Sequence, residues 1–215
     1  MMDRLEKTGW LLIRSKSKTE EEVSASALEI SSKLGSLAQG RGNTPVDRLM
    51  PREHTEAFVS SLSYQFGLNP FPMHTDTAHR PIPCRFIVLA CARDGTRPTP
   101  TKLLDSKNLN FSTSEERLTR SAPFLVKNGR RSFYSTIASN SRSFLRVDPG
   151  CMIPTNSDGR TILSKYSQEQ NEVSIIDHDW SVGDLLIIDN WRMLHGRGSK
   201  QEPSSDRLLL RIMIK

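Results

Sequence analysis

Short apolar segments, separated by glycine, proline, asparagine and serine, make up most of the chain after residue 39, and this pattern restricts the fold more than any other feature. Short strands alternating with turn residues are typical of a β-sandwich or a barrel. Near the N-terminus, GWLLIR (9–14) predicts one more buried strand. The best strand candidates in the later region are RFIVLACA (85–92), SFLRV (143–147), DLLIID (184–189) and RLLLRIMI (207–214).

Helices are predicted at three places beside these strands. Residues 19–37 open with a Thr-x-x-Glu capping box at Thr19 and Glu22 and continue with apolar residues at helical spacing. A short helix is predicted to begin near Ser114, and another follows a loop within residues 154–172. We therefore predict an α+β fold, a double-stranded β-helix (jelly-roll, cupin-like) core with flanking helices, and we expect the 215 residues to form a single domain.

The charge balance favours anionic ligands but not nucleic acid. Lys and Arg outnumber Asp and Glu by 30 to 24, which gives a net charge of +6. The densest basic runs, at 14–18 and 129–131, have no aromatic residues between the charges. A protein that binds single-stranded nucleic acid usually combines the two, so we predict no nucleic-acid partner.

The cysteines and the apolar runs predict a cytoplasmic protein with no membrane partner. Cys84, Cys91 and Cys151 are odd in number and form no C-x-x-C pair, which predicts reduced thiols. The longest apolar run, FIVLACA (86–92), is too short to cross a bilayer. The N-terminal ten residues contain no apolar stretch of signal-peptide length.

A histidine and a carboxylate lie two residues apart at His74 and Asp76, in the proline-flanked segment NPFPMHTDTAHRPIP (69–83). In an extended segment, residues i and i+2 point to the same side, so both side chains can reach one point. They are two of the three ligands of a 2-His-1-carboxylate site, which leaves open positions on an ion such as Fe(II). His195, at the exit of the strand candidate in GDLLIIDNWRMLHGRG (183–198), is the candidate third ligand.

The C-terminal strand candidate carries two arginines on one face. Its period-two alternation places on that face Arg207, Leu209, Arg211 and Met213. If this face met solvent, the arginines would be ordinary surface charges. If it lines a barrel interior, each guanidinium needs an anionic partner, and a dicarboxylic acid suits the planar fork of arginine.

Four motifs, in this order, resemble one known family. They are HTD (74–76), PTPTKLLD (98–105), GDLLIIDNWRMLHGRG (183–198) and RLLLR (207–211). Together they resemble the taurine dioxygenase / clavaminate synthase-like family of Fe(II)/2-oxoglutarate-dependent oxygenases, from about residue 64 to the end. The resemblance implies that the catalytic iron ligands are His74, Asp76 and His195.

The resemblance also implies a cosubstrate site. Arg207 matches the arginine that grips the distal carboxylate of 2-oxoglutarate, and Thr101 matches the threonine whose hydroxyl assists it. Arg211 matches a second arginine, near the cosubstrate or the anionic group of the substrate. The family usually has Gly-Gly before this threonine, whereas this chain has GTRPTPT, so Thr99 is an alternative to Thr101.

The resemblance implies that the protein is an oxidoreductase. It would use Fe(II), 2-oxoglutarate and O2 as cofactors and would release succinate and CO2. Related halogenases lack the carboxylate that Asp76 provides, so we expect hydroxylation, or desaturation or cyclisation, of an unactivated C–H bond. The alternative is a jelly-roll protein that binds a metal or an anion without catalysis. Such a protein would be expected to lose at least one member of the ligand and cosubstrate set, and this chain retains all of them.

The predicted substrate is a small molecule that is anionic, amino-acid-like or carrier-bound, because the chain is basic and has arginines near the predicted site. The candidate substrate-contacting residues are Arg146, Trp191 and Arg211. Arg146 shares one face of its predicted strand with Asp148, and an internal ion pair explains this pair equally well. Trp191 adjoins the predicted ligand loop, where it could line the pocket or simply pack.

Overall fold

The computed structural model describes residues 1–57, 61–96, 99–139, 144–199 and 206–215, which form eleven strands and five α-helices. The strands are β1 (Trp10–Arg14), β2 (Val46–Leu49), β3 (Phe86–Arg93), β4 (Thr101–Asp105), β5 (Phe124–Asn128), β6 (Arg131–Ser135), β7 (Met152–Pro154), β8 (Ile176–His178), β9 (Asp184–Asp189), β10 (Met193–Arg197) and β11 (Leu208–Ile214). The helices are α1 (Met2–Thr8), α2 (Glu20–Ser32), α3 (Leu62–Phe66), α4 (Thr113–Ser121) and α5 (Ser157–Glu172).

The larger sheet contains five antiparallel strands in the order β1-β9-β3-β11-β2. Its central strands are buried almost throughout, which explains their continuous apolar sequences. The predicted alternation in β11 is confirmed. Leu208, Leu210, Ile212 and Ile214 belong to the core cluster that includes Val23 and Ala27 of α2, whereas Leu209 and Met213 belong to a different cluster.

Two three-stranded sheets complete the β-structure, in the orders β10-β4-β8 and β6-β5-β7. Leu103 of β4 and Met193 of β10 share a core cluster with Leu209 and Met213, so the second sheet packs against the larger one. The third sheet packs with α5 in a further cluster, which Leu194 of β10 joins. The arginine-bearing face of β11 therefore points between sheets, toward the interior.

The predicted helices form, with shifted boundaries. Thr19 and Glu22 make the predicted capping box, but α2 ends at Ser32 and does not reach residue 37, because Gly35 adopts a positive φ of 157°. A second capping box at Ser112 starts α4 close to the predicted position. Helix α5 fills most of residues 154–172, so the loop predicted before it is short. Among the described residues, no helix is both long and apolar enough to cross a membrane.

The strand predicted at SFLRV is wrong for its described part, residues 144–147, while Ser143 lies outside the described residues. Only Leu145 makes a β-bridge, to Ala138. The backbone N–H groups of this segment donate to three different places: Leu145 to Trp191, Arg146 to Ile137, and Val147 to the Thr75 hydroxyl. Because its hydrogen bonds are divided in this way, the segment cannot form a ladder with one partner strand.

Candidate metal centre

The two candidate histidine ligands are joined through their own backbones. His74 N–H donates to the His195 carbonyl at 2.9 Å, and His195 N–H donates to the His74 carbonyl at 3.1 Å. His195 lies in the middle of β10, one strand later than the strand exit at which it was predicted. This antiparallel bridge brings the two imidazole centroids to 4.5 Å from each other, although 121 positions separate the residues along the chain.

Asp76 reaches the same point from a turn rather than from an extended strand. After the bridge at His74 the chain turns, and Thr77 adopts a positive φ of 56°. The side-chain amide of Asn190 holds this turn, because its Oδ1 accepts from Asp76 N–H at 2.9 Å and its Nδ2 donates to the Asp76 carbonyl at 3.1 Å. Asp76 Oδ2 then lies 3.7 Å from His195 Nε2.

Together, His74, Asp76 and His195 form a compact ligand set. One potential ligand atom from each lies within 4.8 Å of the others. The exposed fraction is 8% for the residue His74, 13% for the Asp76 side chain and 8% for the His195 side chain. His74 Nδ1 lies 3.0 Å from the Pro72 carbonyl, to which it donates, so its Nε2 lone pair remains for a metal ion. Two imidazoles and one carboxylate are the donor set that suits non-haem Fe(II).

The local electrostatics keep His74 and Asp76 in their metal-binding forms. Burial and the neighbouring His195 lower the pKa of His74, so its imidazole is neutral near pH 7. Burial alone would raise the pKa of Asp76, but the Arg211 guanidinium and the nearby imidazoles hold it well below its usual value. A metal ion therefore has few protons to displace from these two side chains when it binds.

Arg211 contacts the ligand carboxylate. Its Nη1 lies 2.9 and 3.0 Å from the two carboxylate oxygens of Asp76, and its Nη2 lies 2.7 Å from Asp47 Oδ2. From the sequence, Arg211 is expected beside the cosubstrate or substrate, and Asp47 is not expected at the site. No motif marks Asp47 in the sequence, because its position opposite Arg211 follows from the pairing of β2 with β11.

Arg207 is buried without an ion-pair partner in the described part of the chain. One guanidinium nitrogen donates to the Thr99 carbonyl at 2.5 Å, while Nε has no hydrogen-bond partner there. Burial lowers the pKa of Arg207 to about 10. Burial lowers the pKa of Arg197, and the nearby charge of Arg207 lowers it further. Arg197 itself donates to the carbonyls of Gly67 and Asn69. This region is thus positive and suited to an anion.

Among the described residues, the Thr101 hydroxyl has one side-chain partner, the indole of Trp180. Trp180 Nε1 lies 3.0 Å from Thr101 Oγ1, and both residues are buried. An indole N–H can only donate, so the threonine oxygen accepts this bond and its proton remains available for another acceptor. Thr99, the alternative residue, contacts Arg207 through its carbonyl. No motif in the sequence marks Trp180 as a partner of Thr101.

Arg146 and Trp191, predicted as substrate contacts, both brace the chain that follows Asp76. The guanidinium of Arg146 donates to the carbonyls of Ala78, Arg80 and Pro81. Trp191 Nε1 donates to the Pro83 carbonyl at 3.0 Å, and its ring packs on Phe144. These contacts occupy donors of both side chains, and a role in substrate contact stays a prediction.

His178 is a buried histidine that is not part of the triad. The side chain is only 9% exposed, its ring meets Trp180 edge-on at 4.5 Å, and its Nε2 lies 3.5 Å from Asp184 Oδ2. The thiols of Cys84, Cys91 and Cys151 are free and buried.

The taurine catabolism dioxygenase TauD, TfdA family matches residues 99–213, more than half of the chain. That segment includes His195 and Arg207, whereas His74 and Asp76 precede it. No curated protein matches the chain.

Solved structures resemble the whole described fold. An asparagine oxygenase in complex with Fe(II), 2S,3S-3-hydroxyasparagine and succinate has a TM-score of 0.78 and 16% identity, over 99% of this chain and 77% of that one. The non-haem iron oxygenase OrfP, in complex with Fe, succinate and (3S)-hydroxy-L-Arg, has a TM-score of 0.74 and 18% identity, over 100% of this chain and 77% of that one. The PvcB protein from Pseudomonas aeruginosa has a TM-score of 0.69 and 19% identity, over 99% and 78%. The predicted α+β jelly-roll fold is confirmed.

Proposed function

The chain belongs to the TauD, TfdA family of Fe(II)- and 2-oxoglutarate-dependent dioxygenases, and from this premise we propose that His74, Asp76 and His195 bind one catalytic Fe(II) ion. The observation that carries the proposal is the convergence of these three buried side chains, one from a turn and two from a β-bridge. The neutral state of His74 and the ionised state of Asp76 support it, because both are the ligand forms.

We further propose that Arg207 and Thr101 bind the distal carboxylate of 2-oxoglutarate. A carboxylate would give the buried Arg207 the anionic partner that it lacks among the described residues. The Thr101 proton would supply an additional hydrogen bond to the same group. When bound, the iron and the cosubstrate supply oxidative decarboxylation to succinate and CO2, which activates O2 for attack on a C–H bond. The protein residues hold the two in register and exclude water.

The proposed substrate is a small amino-acid-like or anionic molecule, and hydroxylation is the proposed outcome. Two structures of similar fold contain hydroxylated amino acids, hydroxyasparagine in one and hydroxyarginine in the other. The net charge of +6 is compatible with a substrate that carries a carboxylate. We also propose that residues 1–215 form a single domain.

The function is tested by anaerobic titration of the metal-free protein with Fe(II) and then 2-oxoglutarate. We expect the weak visible charge-transfer band of a chelated 2-oxo acid to appear and to reach a plateau as the 2-oxoglutarate concentration rises. If iron binds and no band develops at any cosubstrate concentration, the non-catalytic jelly-roll protein becomes the better interpretation. A band would justify a screen of free amino acids by succinate release.

The product is expected to be hydroxylated even in the presence of chloride. Asp76 occupies the coordination position that chloride would need, and Arg211 holds this carboxylate with contacts of 2.9 and 3.0 Å. Mass spectrometry of the products formed with and without added chloride distinguishes a hydroxylated product from a chlorinated one. A chlorinated product would contradict the assignment of Asp76 as a ligand.

Replacing Trp180 with phenylalanine is expected to weaken 2-oxoglutarate binding about fivefold to tenfold, the usual effect of losing one hydrogen bond of about 1 kcal/mol. Without the indole N–H, the Thr101 hydroxyl can turn its proton away from the cosubstrate. The matched control is Trp191→Phe, which also loses one indole N–H but whose partner is the Pro83 carbonyl. Equal cosubstrate affinity in wild type and Trp180→Phe would contradict this role.

A further inference from the structure

Asp47 is a buried carboxylate on the outermost strand of the larger sheet. It is 4% exposed and belongs to β2, which pairs only with β11 among the described strands. In the antiparallel register, Asp47 lies directly opposite Arg211. Such cross-strand neighbours have closely spaced side chains, and here Asp47 Oδ2 lies 2.7 Å from Arg211 Nη2.

Arg211 joins Asp47 to the candidate metal ligand Asp76. One terminal nitrogen of its guanidinium bonds to Asp47, and the other bonds to both oxygens of Asp76. A planar guanidinium that is held at both terminal nitrogens cannot rotate freely. The three side chains therefore form a fixed chain of charges, negative, positive and negative, that ends at the metal site.

The far side of Asp47 is also confined. The backbone of Gly40 approaches so closely that a Cβ atom there would lie 2.4 Å from Asp47 Oδ1. The carboxylate is thus held between the Gly40 backbone and the Arg211 guanidinium, with little room to adopt another rotamer.

We propose that Asp47 is a positioning residue that fixes Arg211 against Asp76 and so sets the orientation and effective charge of the metal-binding carboxylate. This inference rests on the proposed function, because it takes Asp76 as an iron ligand. Asp47 strengthens Fe(II) binding in two ways. It offsets the Arg211 charge, which would otherwise compete more strongly with the metal for Asp76, and it adds a negative charge near the cation.

The test is the Fe(II) affinity of Asp47→Asn, measured anaerobically against a chromophoric chelator, without cosubstrate or substrate. We expect binding about tenfold weaker than in wild type, as for other partners that orient a metal ligand. The control is Asp105→Asn, which breaks a similar carboxylate–guanidinium pair with Arg192 away from the triad and should stay within about twofold of wild type.

A double variant separates this role from a general packing effect. In an Arg211→Gln background, the ion pair between Asp47 and residue 211 is absent, so a further Asp47→Asn change should alter Fe(II) affinity less than about twofold. A tenfold effect that persists in this background would overturn the inference.

A second single variant keeps the inference testable if Asp47→Asn does not fold. Gly40→Ala changes no charge but forces the Asp47 carboxylate to move, and it should also weaken Fe(II) binding. Wild-type affinity in folded Asp47→Asn, or in Gly40→Ala when the first variant does not fold, would overturn the inference and leave the oxygenase function intact. A wild-type protein that binds no Fe(II) would instead overturn both.

Discussion

Replacing His195 with alanine is expected to lower Fe(II) affinity by at least about 100-fold and to abolish 2-oxoglutarate-dependent succinate formation. Loss of a residue that merely orients a ligand costs roughly 10-fold to 100-fold in metal affinity, so loss of a ligand should reach at least the upper end. The backbone bridge to His74 does not depend on the imidazole and should persist. Iron content after anaerobic loading and desalting measures the effect.

The control for this variant is His178→Ala. His178 is as buried as His195, but it contacts Trp180 and Asp184 instead of the triad. It should keep wild-type iron content, because none of its contacts is a proposed metal ligand. If His195→Ala retained stoichiometric iron while remaining folded, the assignment of this ligand would be wrong.

Replacing Arg207 with alanine is expected to weaken 2-oxoglutarate binding about 100-fold to 1000-fold and to leave Fe(II) binding unchanged. A carboxylate held by two charge-assisted hydrogen bonds loses about 3 to 4 kcal/mol when the guanidinium is removed. Arg207→Lys keeps the charge but not the fork and should give an intermediate affinity. The charge-transfer titration measures the dissociation constant directly.

The stability of the cosubstrate-free protein gives a second signature for Arg207. Burial lowers the pKa of both Arg207 and Arg146 to about 10, but Arg207 donates to one backbone carbonyl and Arg146 to three. Without cosubstrate, Arg207→Ala should therefore lower the melting temperature less than Arg146→Ala does. A destabilisation by Arg207→Ala as large as that by Arg146→Ala would indicate a structural arginine and not a cosubstrate ligand.

The parts of the fold and site that follow from local pattern could be predicted. The alternation in β11 separates two core clusters as expected, and Thr19 caps α2 as expected. His74, Asp76 and His195 come together as the family resemblance implied. The first two features, and the pairing of His74 with Asp76, depend on residue type and short spacing, which a single sequence contains.

The remaining features depend on contacts between distant segments. The pairing of Arg211 with Asp47 requires the register of β2 against β11, 164 positions apart. The donation from Trp180 to Thr101 requires β4 and β8 to be neighbours. The SFLRV segment has strand composition, yet its hydrogen bonds are taken by three separate partners. Tertiary contacts, which no local pattern specifies, decided all three outcomes.

The reciprocal hydrogen bonds between His74 and His195 have a consequence for metal exchange. The backbone, and not the ion, holds the two imidazoles 4.5 Å apart, so the site is preorganised. The conformational entropy of bringing the two ligands together is lost when the chain folds and not when the metal binds. Departure of iron need not let the strands separate. Metal-free protein should therefore reload by simple association, at a rate set by access to the ion and not by refolding.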